Sequence, residues 1–399
     1  MPNNFISPDG DLETMFVDDY AMIDQFAATG SLWMWGLNDR GQLGDNTMLN
    51  KSSPVQTIAA GTNWKQVSWF SNHAAAIKTD GTLWTWGYNY SDGQLGDNTT
   101  VDKSSPVQTI AGGTNWKQVS VGANFTAAIK TDGTLWLWGS NTNGQLADNT
   151  QVPKSSPVQT IAGGNNWKQV SCGSLYIAAA VKTDGTLWTW GFSSKGALGN
   201  NDTANVYSSP IQTVAGGTNW KQVSATGSDC MGAIKTDGTL WMWGNNQFGQ
   251  LGDNTVVNKS SPVQTIAGGT NWKQVSLGFN WTAAIKTDGT LWMWGYNQYG
   301  QLGDNTIVRK SSPVQTIAGG TNWKQVSGAG NGMTSTAIKT DGTLWGWGDN
   351  TGFPGSLGDG TTVSKSSPVQ TIAGGTNWKQ VSRGAAIYFY DAGNLYPSA

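Results

Sequence analysis

One string constrains this chain more than any other. LWxWG recurs seven times, beginning at Leu32, Leu83, Leu135, Leu187, Leu240, Leu291 and Leu344. Successive copies lie 51 to 53 residues apart, and a degraded eighth begins at Leu395 with Tyr396 in place of Trp. A second string, NWKQVS, also occurs seven times between Asn63 and Ser382. Self-similarity at a fixed period means one supersecondary unit stacked on copies of itself, because a single unit cannot bury its own apolar face. The repeat also explains the oddest figure in the composition. Of 23 Trp, 21 fall in the two strings, and only Trp69 and Trp281 lie outside them.

Each unit reads as four short strands: LWxWG, SPVQTIA with its Pro at the start, NWKQVS and AAIKT. Pro is tolerated at the start of a strand, where a missing N–H costs no ladder bond. Asp-Gly between AAIKT and TLW is the strongest short-range hairpin signal, since both turn residues accept positive φ. AGGTN marks a second tight turn. The fold class expected is all-β: a seven-bladed β-propeller of four-stranded antiparallel blades, preceded by a short non-repeat N-terminal arm. Alternation puts both Trp of LWxWG on one strand face and Leu and x on the other. Placed on an inner strand, the repeat Trp fill the wedge between blades.

LWxWG, GQLGDNT, SSPVQTI, NWKQVS and AAIKTDG, in that order, resemble the regulator of chromosome condensation repeat, whose units form seven-bladed propellers. The resemblance covers about residues 30–399. The kelch repeat has a similar period but a different motif order. In the resembled family a His commonly stands four residues before the Ile of AAIKTDG. Here that column reads His73, Phe125, Ile177, Cys230, Trp281, Thr334 and Arg383.

Variation between copies points to a working surface. AGGTN and TDGT hardly change, whereas the segments after LWxWG and after NWKQVS change freely. Antiparallel strands send consecutive connections to alternate faces of the disc, so the two constant turns share one face and the two variable loops the other. The variable face is expected to carry Trp69, Phe70, His73, Tyr88, Tyr90, Phe125, Tyr176, Phe192, Phe248, Trp281, Tyr296, Tyr299 and Phe353 among Asn, Ser and Gly. Aromatic anchors with small polar neighbours are how paratopes are built, so these residues are the candidate partner-binding set.

Residues 1–29 form a separate arm with six acidic residues and no Lys or Arg. Phe16, Tyr20, Ile23 and Phe26 are its candidate attachment anchors, on a partner or on its own propeller. The arm has no basic n-region and no apolar h-region, so it is not expected to be a signal peptide. The propeller spans 30–399, and AAIYFY at Ala385–Tyr390 should close the ring beside Leu32–Gly36, with the FAATG stretch at Phe26 competing for the slot.

Chemistry is thin. One His, two Cys and one Glu (Glu13) are present, and Asp falls mostly in turns and GDNT loops. That leaves no metal site, no catalytic set and no cofactor cradle, so a non-enzyme is expected. No stretch approaches the ~18 apolar residues of a membrane span. The formal net charge is −2, and the repeated Lys read as spread around the ring and offset by Asp, which argues against nucleic acid. The acidic arm and repeat propeller together loosely resemble virion proteins of tailed bacteriophages. That resemblance implies a tail, fibre or capsid-surface component in the virion, holding other virion proteins through the arm and a host protein or glycan through the loops. The alternative is a cellular, cytoplasmic interaction propeller, exchange-factor-like or enzyme-inhibitor-like. A plant ultraviolet-B photoreceptor shares the resembled fold but needs an Arg-rich surface, and only Arg40, Arg309 and Arg383 are present. The oligomeric state is left open.

Overall fold

The computed structural model describes residues 30–58, 61, 63–70, 72–173, 176–226, 229–328, 333–351, 355–372, 374–382 and 387–390. These residues form seven sheets of four antiparallel strands, the blades of a β-propeller. Blade 1 runs outward from the axis as Trp64–Phe70, His73–Lys78, Leu83–Gly87 and Lys103–Gln108. The following blades repeat this order. Arm residues Phe16, Tyr20, Ile23 and Phe26, the FAATG stretch and Phe353 lie outside the described residues.

Blade 7 is composite. Trp378–Ser382 and Ile387–Tyr390 supply its two inner strands, and Ser31–Gly36 and Lys51–Gln56 its two outer ones. Ile387 stands opposite Met34 and Tyr390 opposite Ser31. Both exposed sheet edges that an open ring would leave are thereby paired.

Strand order around the axis corrects one expectation. NWKQVS, not LWxWG, is innermost, since its copies in successive blades touch one another around the ring. An innermost strand has a free edge, and here glutamine closes it. The Gln66 side-chain amide donates Nε2–H to the Val119 carbonyl at 3.3 Å, and its Oε1 accepts from the Val119 N–H at 3.1 Å. The same amide-on-peptide pairing joins Gln118 to Val170, Gln169 to Val223, Gln222 to Val275, Gln274 to Val326 and Gln325 to Val381. At the seam, Gln380 Oε1 accepts from Val67 N–H at 3.3 Å. A primary amide reproduces the donor and acceptor of a peptide, so buried backbone groups at the axis are satisfied without a fifth strand.

LWxWG is third from the axis, where blades have splayed apart. The core therefore lies between blades. Trp64, Trp84 and Trp86 of blade 1 pack on Leu32 and Met34 of blade 7, with Leu43 of the GQLGD loop inserted between. Nearer the axis, where neighbours are close, Ala74, Ala75 and Ala76 suffice, all fully buried. The GQLGD segment is thus an inter-blade wedge. Trp86 Nε1–H donates to the Gln42 carbonyl at 2.9 Å, and Asn46 N–H to the Ser104 carbonyl at 2.8 Å.

The outermost strand begins two residues earlier than SPVQTIA implies, at Lys51, and ends at Gln56. Pro54 lies inside it, in an irregular stretch between the Gly36–Lys51 and Met34–Val55 pairs. On an outer edge, a bulge and a missing N–H block addition of a foreign strand.

Candidate functional site

Hydrogen bonds place the connections on two faces, as strand parity requires. Trp116 N–H donates to the Gly81 carbonyl at 3.0 Å, tying the TDGT turn of blade 1 to the AGGTN turn that enters blade 2. Tyr88 N–H donates to the Asn72 carbonyl at 2.8 Å, tying the two variable loops together at the opposite end. One face is therefore built of constant turns and the other of variable loops.

Burial divides the candidate aromatics. Tyr90 is 67% exposed, Tyr299 38% and Tyr176 36%, while Tyr88, Phe192, Phe248 and Tyr296 are half-buried. Trp69, Phe70, His73, Phe125 and Trp281 are buried, at 2% exposure or less. For these five the expectation of a loop surface is corrected. Trp69 and Phe70 extend the innermost strand of blade 1, and His73, Phe125 and Trp281 each open a second strand. Both faces of those strands press on a neighbouring blade, so the side chains turn into inter-blade contacts. Ile177, Cys230 and Thr334 occupy the same buried column. Cys172 and Cys230 are buried and form no disulfide with one another.

His73 is the one ionisable member of that column. Its Nε2 lies 3.0 Å from Thr126 Oγ1, across the seam between blades 1 and 2. Thr126 Oγ1–H donates to the Gln94 carbonyl at 2.9 Å, which leaves the hydroxyl oxygen placed to accept from a protonated Nε2. Burial pushes the His73 pKa down to about 3.

At two seams of the variable face, side chains of neighbouring loops meet ring to ring or cation to ring. The side chain near the tip of one loop packs on the first residue of the next. Arg40 lies 5.2 Å from the Tyr88 ring centroid. Phe248 meets Tyr296 edge to face at 5.0 Å, and Tyr299 follows at 6.5 Å. Burial, with Tyr299 beside it, raises the Tyr296 phenol, which donates to Gln298 Oε1. Between blades 3 and 4, Lys195 stands 3.9 Å from Asp229, a carboxyl that burial lifts above its ordinary range.

A buried asparagine holds six of the seven loops. Asn246 Oδ1 accepts from Leu251 N–H at 2.9 Å, while its Nδ2 donates to Asp253 Oδ1 at 3.0 Å and to the Thr255 and Val257 carbonyls. Asn38, Asn89, Asn141, Asn297 and Asn350 do the same, and Ser193 replaces Asn in blade 3. Reading the loop as freely variable missed this column. Its signal is in the sequence: the second residue after LWxWG is Asn in six of seven copies.

Charge is segregated by face, which corrects the view that Lys and Asp offset one another around the ring. The constant face holds the seven Lys of NWKQVS and the six of AAIKT against six Asp of TDGT, a net +7. Each AAIKT Lys lies over two rings, as Lys78 does at 4.9 Å from Trp64 and 4.6 Å from Trp84. The variable loops and outer-strand ends hold nine basic and twelve acidic described residues, a net −3. Among the described residues, no group of three or more His, Cys, Asp or Glu is placed to hold a metal ion.

Fold and faces together define a closed repeat propeller with one face of fixed turns and one of diversified loops. The regulator of chromosome condensation (RCC1) repeat model matches residues 29–77, 80–129, 132–180, 184–232, 237–285 and 288–334, and the chain belongs to that family. It is 31% identical over 295 residues to the ultraviolet-B receptor UVR8 of Arabidopsis thaliana, covering 71% of this chain and 64% of that protein. It is 27% identical over 359 residues to the E3 ubiquitin-protein ligase HERC2 of Homo sapiens, covering 86% of this chain and 7% of the ligase. Among solved structures, yeast RCC1 (Prp20) bound to Kap60 superposes with a TM-score of 0.79 at 16% identity, over 94% of this chain and 92% of that one. Human WBSCR16 superposes with a TM-score of 0.78 at 20% identity, over 92% and 100%.

Proposed function

We propose that this chain is a non-catalytic interaction propeller whose variable face engages a protein partner. The observation that carries the reading is the Phe248–Tyr296–Tyr299 series. Three aromatic side chains from two adjacent blades meet at 5.0 and 6.5 Å on the face that diversifies between copies. Such rings supply large contact area at low entropic cost, and their Asn, Gln and Ser neighbours supply adaptable hydrogen bonds. The relatives named above are cellular proteins. They favour a cellular module, exchange-factor-like or inhibitor-like, over the virion component that the style of the arm implies. In HERC2 the matching part is 7% of the whole, so the propeller there is one module among others.

The test replaces Phe248, Tyr296 and Tyr299 together by alanine in the full chain. Affinity capture with quantitative mass spectrometry then compares the variant with the unaltered protein at matched thermal stability. Selective loss of one or more captured proteins supports the reading. An unchanged set of captured proteins, with the variant folded, overturns it.

A further inference from the structure

The constant face raises a question separate from the partner of the variable one. In every blade, pairing between the first and second strands slips by one residue at the start of NWKQVS. In blade 1, Trp64 faces Lys78 and Gln66 faces Ile77, which leaves Lys65 in a bulge. The same slip follows the Trp in blades 2 to 6, and in blade 7 it falls between Trp378 and Val381. Bulges re-aim a side chain out of the ladder. Seven lysines, from Lys65 to Lys379, thus ring the constant-face end of the innermost strands. A ring of like charges around one axis focuses potential on its mouth.

The chain carries its own complement. Asp9, Asp11, Glu13, Asp18, Asp19 and Asp24 give residues 1–29 a charge of −6. The arm joins the propeller at Gly30, whose carbonyl accepts from Trp64 N–H at 3.3 Å, one residue from Lys65. At ~3.3 Å per residue, the six residues from Gly30 back to Asp24 span up to about 20 Å, and the acidic run continues beyond. The variable face, at net −3, would repel the arm. We propose that acidic segment 9–24 docks in cis on this lysine ring. The occupant is the chain's own arm, because charge, tether point and reach coincide there.

Zero-length carbodiimide cross-linking of the unaltered full chain, with peptide mass spectrometry of the monomer band, tests this. Links from arm carboxylates to Lys168 and Lys221, in blades 3 and 4, are expected to exceed links to outer-strand lysines such as Lys154 and Lys259 by about tenfold at low salt. The excess should vanish at 1 M salt, where the Debye length is ~3 Å. Equal yields at low salt, or arm links found only in a dimer band, overturn docking in cis. A second measurement uses the full chain with the six arm carboxylates changed to Asn or Gln, which alters no propeller residue. A labelled poly-glutamate peptide should bind this variant about tenfold more tightly than the unaltered chain, because a tethered competitor at roughly millimolar effective concentration has been removed. Equal affinity for both overturns the proposal.

Discussion

The two faces of this propeller are made by different means. The constant face is made of backbone: the TDGT and AGGTN turns, glycines at positive φ, and N–H groups bonded across blades. The variable face is made of side chains held above a backbone that the buried asparagines keep still. The first cannot change without moving the fold, and the second can change almost anything at its tips. That division is what lets seven near-identical copies carry seven different loop sets.

Four substitutions put this contrast between the faces to the test. The largest effect is expected on the constant face. Gly185 has φ +75°, and a Cβ there would stand 2.0 Å from the Thr218 carbonyl oxygen. Gly185→Ala should cost about 3 to 4 kcal/mol in urea denaturation, from left-handed strain and a backbone clash. A cost under ~0.5 kcal/mol, the usual figure for a tolerant surface site, would remove the distinction between the faces.

Next comes His73, buried beneath the variable face. An imidazole with pKa about 3 in the fold and 6.5 outside it binds its proton more readily when unfolded. Its contribution is fully present above pH 6.5 and is lost as pH falls from 6.5 towards 3. At pH 4 the loss is about 3 kcal/mol relative to neutral pH, at 1.36 kcal/mol per unit. His73→Phe, the residue that blade 2 uses at Phe125, should flatten that part of the profile. Parallel profiles for both proteins between pH 7 and 4 would place the acid sensitivity elsewhere.

A smaller effect is expected for Asn246→Ala, which leaves the Leu251 N–H and several carbonyls of one loop without a partner. About 2 kcal/mol should be lost, with hydrogen exchange accelerating in residues 246–257 first. Uniform exchange across the blade would show that the asparagine does not organise the loop. The smallest effect on folding belongs to Tyr299→Ala, at 38% exposure, where less than ~0.5 kcal/mol is expected. A larger cost would move Tyr299 from the binding set to the framework.

The strand count, the sevenfold period and the alternation of turns and loops were legible because period and parity survive without knowing where a blade begins. Strand order around the axis was not. A four-strand repeat reads the same from any starting strand, so LWxWG could be taken for the inner strand when the Gln66–Val119 pairing belongs to NWKQVS. The column of His73, Phe125 and Trp281 was misplaced by its variability, since buried residues also vary when each faces a different neighbour. Its apolar majority, with Ile177 and Cys230 beside Phe125 and Trp281, was the available signal. Charge averaged over the ring hid its sorting by face. The parity that assigned the loops also assigns Lys65 and Lys78 to one end and Lys51 to the other.

The composite seventh blade sets a timetable. Ser31–Gly36 emerges from the ribosome early, and its partner Ile387–Tyr390 is made more than 350 residues later. At roughly 5 to 20 residues per second, the first strand waits on the order of 20 to 70 seconds for the strand that completes its sheet. The ring is therefore a structure that no partial chain can close, and its last contact to form joins its earliest strand to its latest.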